Sequence, residues 1–132
     1  MGLFDAIFGS KEDRLWDRAN KFLLHNDYDD AIRIASDCIS QFPNCFEAYR
    51  VRGMAYKGKK NYAQAIADLN HIIEFETNSV WGKGYRYYLR SLIYSDMGDY
   101  KNEIADLAKS IELGHTSIDA AKKKLVEAQA KL

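Results

Sequence analysis

With 132 residues, and 19 Lys plus Arg set against 19 Asp plus Glu, the chain is sized for one domain that buries roughly two thirds of its unfolded surface, and its zero net charge argues against a coat for nucleic acid or an anionic membrane. Cys38 and Cys45, the only cysteines, are too few for a disulfide framework and suit a reducing cytosol, while no apolar run approaches the roughly 20 residues that cross a bilayer. The start lacks the basic head and long apolar core of a secretion signal. The expected setting is soluble and cytoplasmic, and one proline among many Ala, Leu, Lys and Ile favours helix throughout.

Residues 1–11 begin MGLFDAIFGS, where Leu3, Phe4, Ile7 and Phe8 fall on one side of a short helical turn that ends at Gly9 and Ser10. The expected role is an apolar flap that covers the exposed face of the first hairpin, with Trp16 as its contact. A membrane-surface anchor is the alternative, although eight residues bury too little area for firm binding without a second signal.

Next, a helix from about Glu12 to His25 sets Leu15, Arg18, Ala19 and Phe22 on one face. Asn26 and Asp27 make a turn, and a second helix from Tyr28 to about Gln41 carries Tyr28, Ala31, Ile32, Ala35 and Ile39. It must stop before Pro43, because proline disfavours helix at the residue preceding it. Residues 49–73 show the same two patterns across one polar break: Tyr49, Arg52, Gly53 and Tyr56, then Tyr62, Ala65, Ile66, Leu69, Ile72 and Ile73. Gly58 is expected to end the first of these helices and Asn61 to cap the second.

A third pair has Tyr87, Arg90, Ser91 and Tyr94, the Gly98-Asp99 turn, then Tyr100, Ile104, Leu107 and Ile111. Four extra residues within Thr77 to Gly84 predict a longer loop or a lengthened fifth helix. A last helix, about Ser117 to Lys131, sets Ile118, Ala121, Leu125 and Ala128 on one side and reads as a polar-backed terminal cap. The Lys122 to Lys124 run fits its solvated face better than a phosphate-binding patch.

The hairpins superpose at offsets of 34 and 38 residues. Leu15, Tyr49 and Tyr87 coincide, as do Arg18, Arg52 and Arg90; Ala19, Gly53 and Ser91; and Phe22, Tyr56 and Tyr94. In the second helices the sets are Tyr28, Tyr62 and Tyr100; Ala31, Ala65 and Glu103; Ile32, Ile66 and Ile104; and Ala35, Leu69 and Leu107. Over about residues 12–115 this resembles the tetratricopeptide repeat, with its 34-residue period and its pattern of aromatic, Leu-Gly, Tyr, then Ala, Phe and Pro. Only Pro43 keeps the closing proline, and Glu103 replaces an Ala.

The resemblance implies an all-α solenoid with a flap at residues 1–11, repeats at about 12–45, 46–79 and 80–117, and a capping helix at 118–132. It also implies a non-enzymatic protein-interaction module whose first helices line a concave groove. Carried onto this chain, the groove presents Trp16, Asn20, Arg50, Met54, Lys57, Tyr85, Tyr88 and Leu92, which suits an acidic peptide or helix with apolar anchors. Self-association through the groove and membrane assembly through residues 1–8 are the alternatives. Of the Lys, Asn and Arg clamp with which some family members hold chaperone C-termini, only Asn20 stands in place, so that specificity is not carried over.

The residues themselves point to no cofactor, no nucleic-acid partner and no catalysis. His25, His71 and His115 lack neighbours at metal-ligand spacing, and Cys38, on an inner helix face, reads as a buried small hydrophobe. Arg52 with Asp68, and Arg90 with Asp106, are expected to pair across their hairpins. Ile34 occupies the place where Arg18 would find the same partner.

Overall fold

The computed structural model describes residues 2–75, 82–114 and 117–132. Eight helices and no strand are found among them: α1 (Leu3–Phe8), α2 (Lys11–Leu24), α3 (Tyr28–Gln41), α4 (Phe46–Gly58), α5 (Tyr62–Phe75), α6 (Tyr85–Met97), α7 (Tyr100–Leu113) and α8 (Ile118–Gln129). Their contacts form two compact units, Met1–Asp68 and Leu69–Leu132. In the first, α2 packs on α3, α3 on α4, and α2 on α4; in the second, α6 packs on α7 and α7 on α8. The insertion expected within Thr77 to Gly84 lies mainly outside the described residues.

The same turn closes all three hairpins. Asn26, Lys60 and Gly98 have φ of 61°, 62° and 75°, the left-handed region. After each, the amide of Asp27, Asn61 and Asp99 donates to the carbonyl of Phe22, Tyr56 and Tyr94, every time at 2.9 Å. Each left-handed residue donates in turn to the carbonyl three positions back, that of Leu23, Lys57 and Ser95. This double bond is the Schellman arrangement, which satisfies two carbonyls that a helix end would otherwise leave unpaired.

Gly58 is the last residue of α4, as the sequence suggested, but it does not take the left-handed place that follows; Lys60 does, at a strain of about 1–2 kcal/mol for a residue with a Cβ. Gly58 answers a different need. A Cβ there would stand 2.4 to 2.8 Å from the ring of Tyr28, so its bare backbone is what lets α3 start against the end of α4.

The core of the first unit is made of small residues, as close helix packing requires. Ala19, Ala31, Ala35, Cys38, Ala48, Val51 and Ala55 are fully buried, with Leu15, Phe22, Tyr28 and Ile39 wedged against them. In α4 it is Ala48, Val51 and Ala55 that lie in this cluster with residues of α3. The corresponding places on α2, 34 residues earlier, hold Arg14, Asp17 and Lys21, and Lys21 and Asp17 form an ion pair at 3.1 Å.

That substitution overturns the expected flap. The face it was to cover is already polar, and Leu3, Phe4, Ile7 and Phe8 are 58–79% exposed. Trp16 packs against the core and donates its indole N–H to Asp13. What holds α1 is Arg14, whose guanidinium donates to Asp5 Oδ1 at 3.0 Å and to the Gly9 carbonyl, and lies 4.6 Å from the Phe4 ring centroid.

In the second unit Ile93, Leu107 and Ser91 are buried between α6 and its neighbours. Glu103, in the place of Ala31 and Ala65, is 5% exposed with Oε2 lacking a hydrogen-bond partner, and Ser110 Oγ, two turns along α7, lacks one as well. The α6–α7 hairpin keeps its partners despite them. The capping helix α8 buries Ala121 and Ala128 and turns Lys122 and Lys123 to solvent.

Candidate partner-binding surface

The first helix of each pair has one side committed to packing and one that faces outward. On α2 and α4, which touch, the outward side carries Trp16, Asn20, Arg50, Met54 and Lys57, all half-buried. Arg50 Nη2 donates across the two helices to Asn20 Oδ1 at 3.4 Å. The strip thus sets two apolar side chains, Trp16 and Met54, beside Asn20, Arg50 and Lys57, with Asp13 and Glu47 one helical turn before Trp16 and Arg50. Trp16 contributes part of its area to the core and part to this strip.

Asp13 also serves the start of α2. Ser10 and Asp13 form a capping box, with the Asp13 amide donating to Ser10 Oγ at 3.1 Å and the Ser10 amide donating to Asp13 Oδ2 at 3.3 Å. The Ser10 hydroxyl, then the Trp16 indole, hold the Asp13 carboxyl below the usual Asp range. The strip's acidic border is therefore ionised at neutral pH.

In the second unit, Tyr85, Tyr88 and Leu92 lie along α6, each half-buried. The two tyrosine rings are 6.5 Å apart and nearly parallel, at 21°. Aromatic rings held in this way offer contact area at low conformational cost. The eight residues singled out from the sequence are thus gathered as five on one surface of the first unit and three on one helix of the second.

The repeated arginines sit behind these surfaces. Arg52 makes a two-pronged pair with Asp68, Nε to Oδ2 at 2.9 Å and Nη2 to Oδ1 at 2.8 Å, and reaches Ser36 Oγ on α3 at 3.2 Å. Arg90 repeats it with Asp106, both bonds at 2.7 Å, and reaches Asn70 Oδ1 at 2.9 Å. Burial opposes the charge, yet the carboxylate bonds outweigh it and raise both arginines' pKa. Ser36 and Asn70, also 34 residues apart, are the partners that sequence reading missed; two small polar residues at the repeat offset were the available sign. Arg18 is exposed and lies 6.0 Å from the Phe22 ring centroid, with Ile34 buried where the carboxylate would be.

Cys38 and Cys45 are free and buried, and loss of solvent pushes both thiols' pKa up, which disfavours the nucleophilic thiolate. No group of three His, Cys, Asp or Glu is placed to hold a metal among those residues. His25 is exposed, His71 lies 4.7 Å from the Phe75 ring, and His115 falls outside the described residues. An open depression of about 420 Å³ at the hairpin tip is lined by Asn26, Asp27, Tyr28, Asp29, Asp30 and Lys59, with Lys59 paired to Asp29. No described helix is long and apolar enough to cross a membrane.

The family model described as Tetratricopeptide repeat matches residues 46–78 and 85–113, the segments that contain the α4–α5 and α6–α7 pairs. The chain is a tetratricopeptide-repeat protein. The α2–α3 pair closes with the same Schellman turn as the matched two, and α8 packs on α7. Tetratricopeptide repeats are protein-interaction modules and typically scaffolds without catalysis. That coarse function applies here.

Proposed function

We propose that this tetratricopeptide-repeat protein is a non-enzymatic cytoplasmic scaffold that holds a peptide or short helix of a partner protein against the outward faces of its first helices. The observation that carries the reading is the α2–α4 strip, where Trp16 and Met54 flank an Arg50 that spans both helices. Apolar anchors beside a cation suit an acidic segment with one or two large apolar side chains. Tyr85, Tyr88 and Leu92 on α6 supply a second contact surface of similar make-up. The buried free thiols of Cys38 and Cys45 fit a reducing compartment.

The test is capture of partners from native lysate by the wild-type chain and by Arg50→Ala and Met54→Ala variants, each first checked for an unchanged circular dichroism spectrum. Proteins lost with both variants are the partners expected. Equal recovery by all three chains removes the strip from consideration.

A further inference from the structure

The apolar face of α1 stays largely open, with none of its residues buried and the Phe4 ring against the Arg14 guanidinium. Its four large apolar side chains are 58–79% exposed, and the α2 face nearest in sequence already carries Arg14, Asp17 and Lys21 in place of the packing residues Ala48, Val51 and Ala55. Yet α1 is not a loose end. Arg14 ties it down through Asp5, the Gly9 carbonyl and the Phe4 ring, and Phe4 and Phe8 lie against each other at 4.7 Å. An apolar face held in place by polar bonds behind it is built to be covered by something outside the chain.

We infer that α1 is a self-association surface, on which two copies of the chain pair through Leu3, Phe4, Ile7 and Phe8 about a two-fold axis. A two-fold interface needs one self-complementary patch, and an uncharged apolar helix face is such a patch. The one charge on α1, Asp5, is neutralised by Arg14 of its own copy, so like charges do not meet when two faces close. The area sets the strength. Counting on the order of 200 Å² for a large apolar side chain, each copy exposes roughly 500 Å², and the pair covers about 1,000 Å², the lower limit for a specific interface. The dimer is therefore weak and reversible.

A lipid surface is the competing occupant, and the charges disfavour it. Helices that lie in an anionic membrane carry Lys or Arg on their polar face. Here α1 carries Asp5 and no Lys or Arg, and the start of α2 adds no net positive charge, Lys11 and Arg14 being matched by Glu12 and Asp13.

Sedimentation equilibrium of the full chain, from low micromolar to millimolar, reads the result. The weight-average mass should rise from one chain towards two. The Leu3→Ser/Ile7→Ser variant, which alters no buried residue, leaves the contact of Arg14 with Phe4 in place and should keep the wild-type circular dichroism, should dissociate at least about tenfold more readily. Ile7→Cys should cross-link copy to copy with a short bis-maleimide, since Cys38 and Cys45 are buried.

The proposal fails if the wild type stays monomeric throughout, if the double serine variant associates with wild-type affinity, or if Ile7→Cys does not cross-link while dimers are present. Co-sedimentation of the monomeric wild type with phosphatidylglycerol vesicles, lost in the double variant, would assign α1 to lipid instead.

Discussion

Breaking the Arg52–Asp68 pair should show coupling well above that of a surface ion pair. The two bonds are short and parallel, the Asp68 side chain is 7% exposed, and that of Arg52 is 22% exposed. Arg52→Met takes the guanidinium away from a carboxylate in a nearly dry site and should cost about 3 kcal/mol. Asp68→Leu should cost less, about 2 kcal/mol, because Arg52 keeps Ser36 and can still reach water. With both changed, the loss should be about 3 kcal/mol, since neither charge remains to be desolvated, which puts the coupling near 2 kcal/mol. Urea unfolding of the four proteins at constant m-value measures it. A coupling of about 0.5 kcal/mol or less, the range of exposed pairs, would mean that solvent screens the pair and that its burial has been over-read.

Three further outcomes test the fold. Gly58→Ala should destabilise by roughly 1–3 kcal/mol because its Cβ meets the Tyr28 ring, and should become neutral or favourable in a Tyr28→Ala background, where Ala's better helix propensity is all that remains. Glu103→Ala restores the residue found at Ala31 and Ala65 and removes a buried oxygen without a partner, so urea unfolding should show a gain of about 1 kcal/mol. The capping-box carboxyl of Asp13 has a folded pKa below its ordinary 3.8, so its contribution is fully present above that value and is lost as pH falls through the folded value. A Ser10→Ala variant should therefore lie below wild type in stability at pH 7 by more than in strong acid, where only the bond from the Asp13 amide to Ser10 Oγ still separates the two.

Much of this fold was legible because each repeat position has one physical demand. Tyr28, Tyr62 and Tyr100 follow a left-handed residue and a helix start in every hairpin, so helix limits fell within one or two residues where the turn chemistry recurs. The Arg–Asp pairs were legible for the same reason: Asp68 and Asp106 keep a fixed offset from Arg52 and Arg90. Gly58 was legible as the end of α4 but not as a close contact, because glycine serves both left-handed turns and tight approaches and only coordinates place the Tyr28 ring beside it. The flap was misjudged because the pattern of α1 shows an apolar face without showing what lies under it, although Arg14, Asp17 and Lys21 in the places of Ala48, Val51 and Ala55 already made the end of the array polar. The outward strip was legible as composition. Its bridge from Arg50 to Asn20, and the sharing of Trp16 between strip and core, depend on side-chain positions that spacing does not give.

The most direct measurement is the affinity of a captured partner segment for the wild-type chain and for Arg50→Ala, by calorimetry at two salt concentrations. The account predicts a loss of about 1–3 kcal/mol for the variant, and weaker wild-type binding at high salt that the variant largely fails to show. Wild-type affinity and an unchanged salt dependence in a folded Arg50→Ala protein would contradict it and place the partner on another face of the repeats.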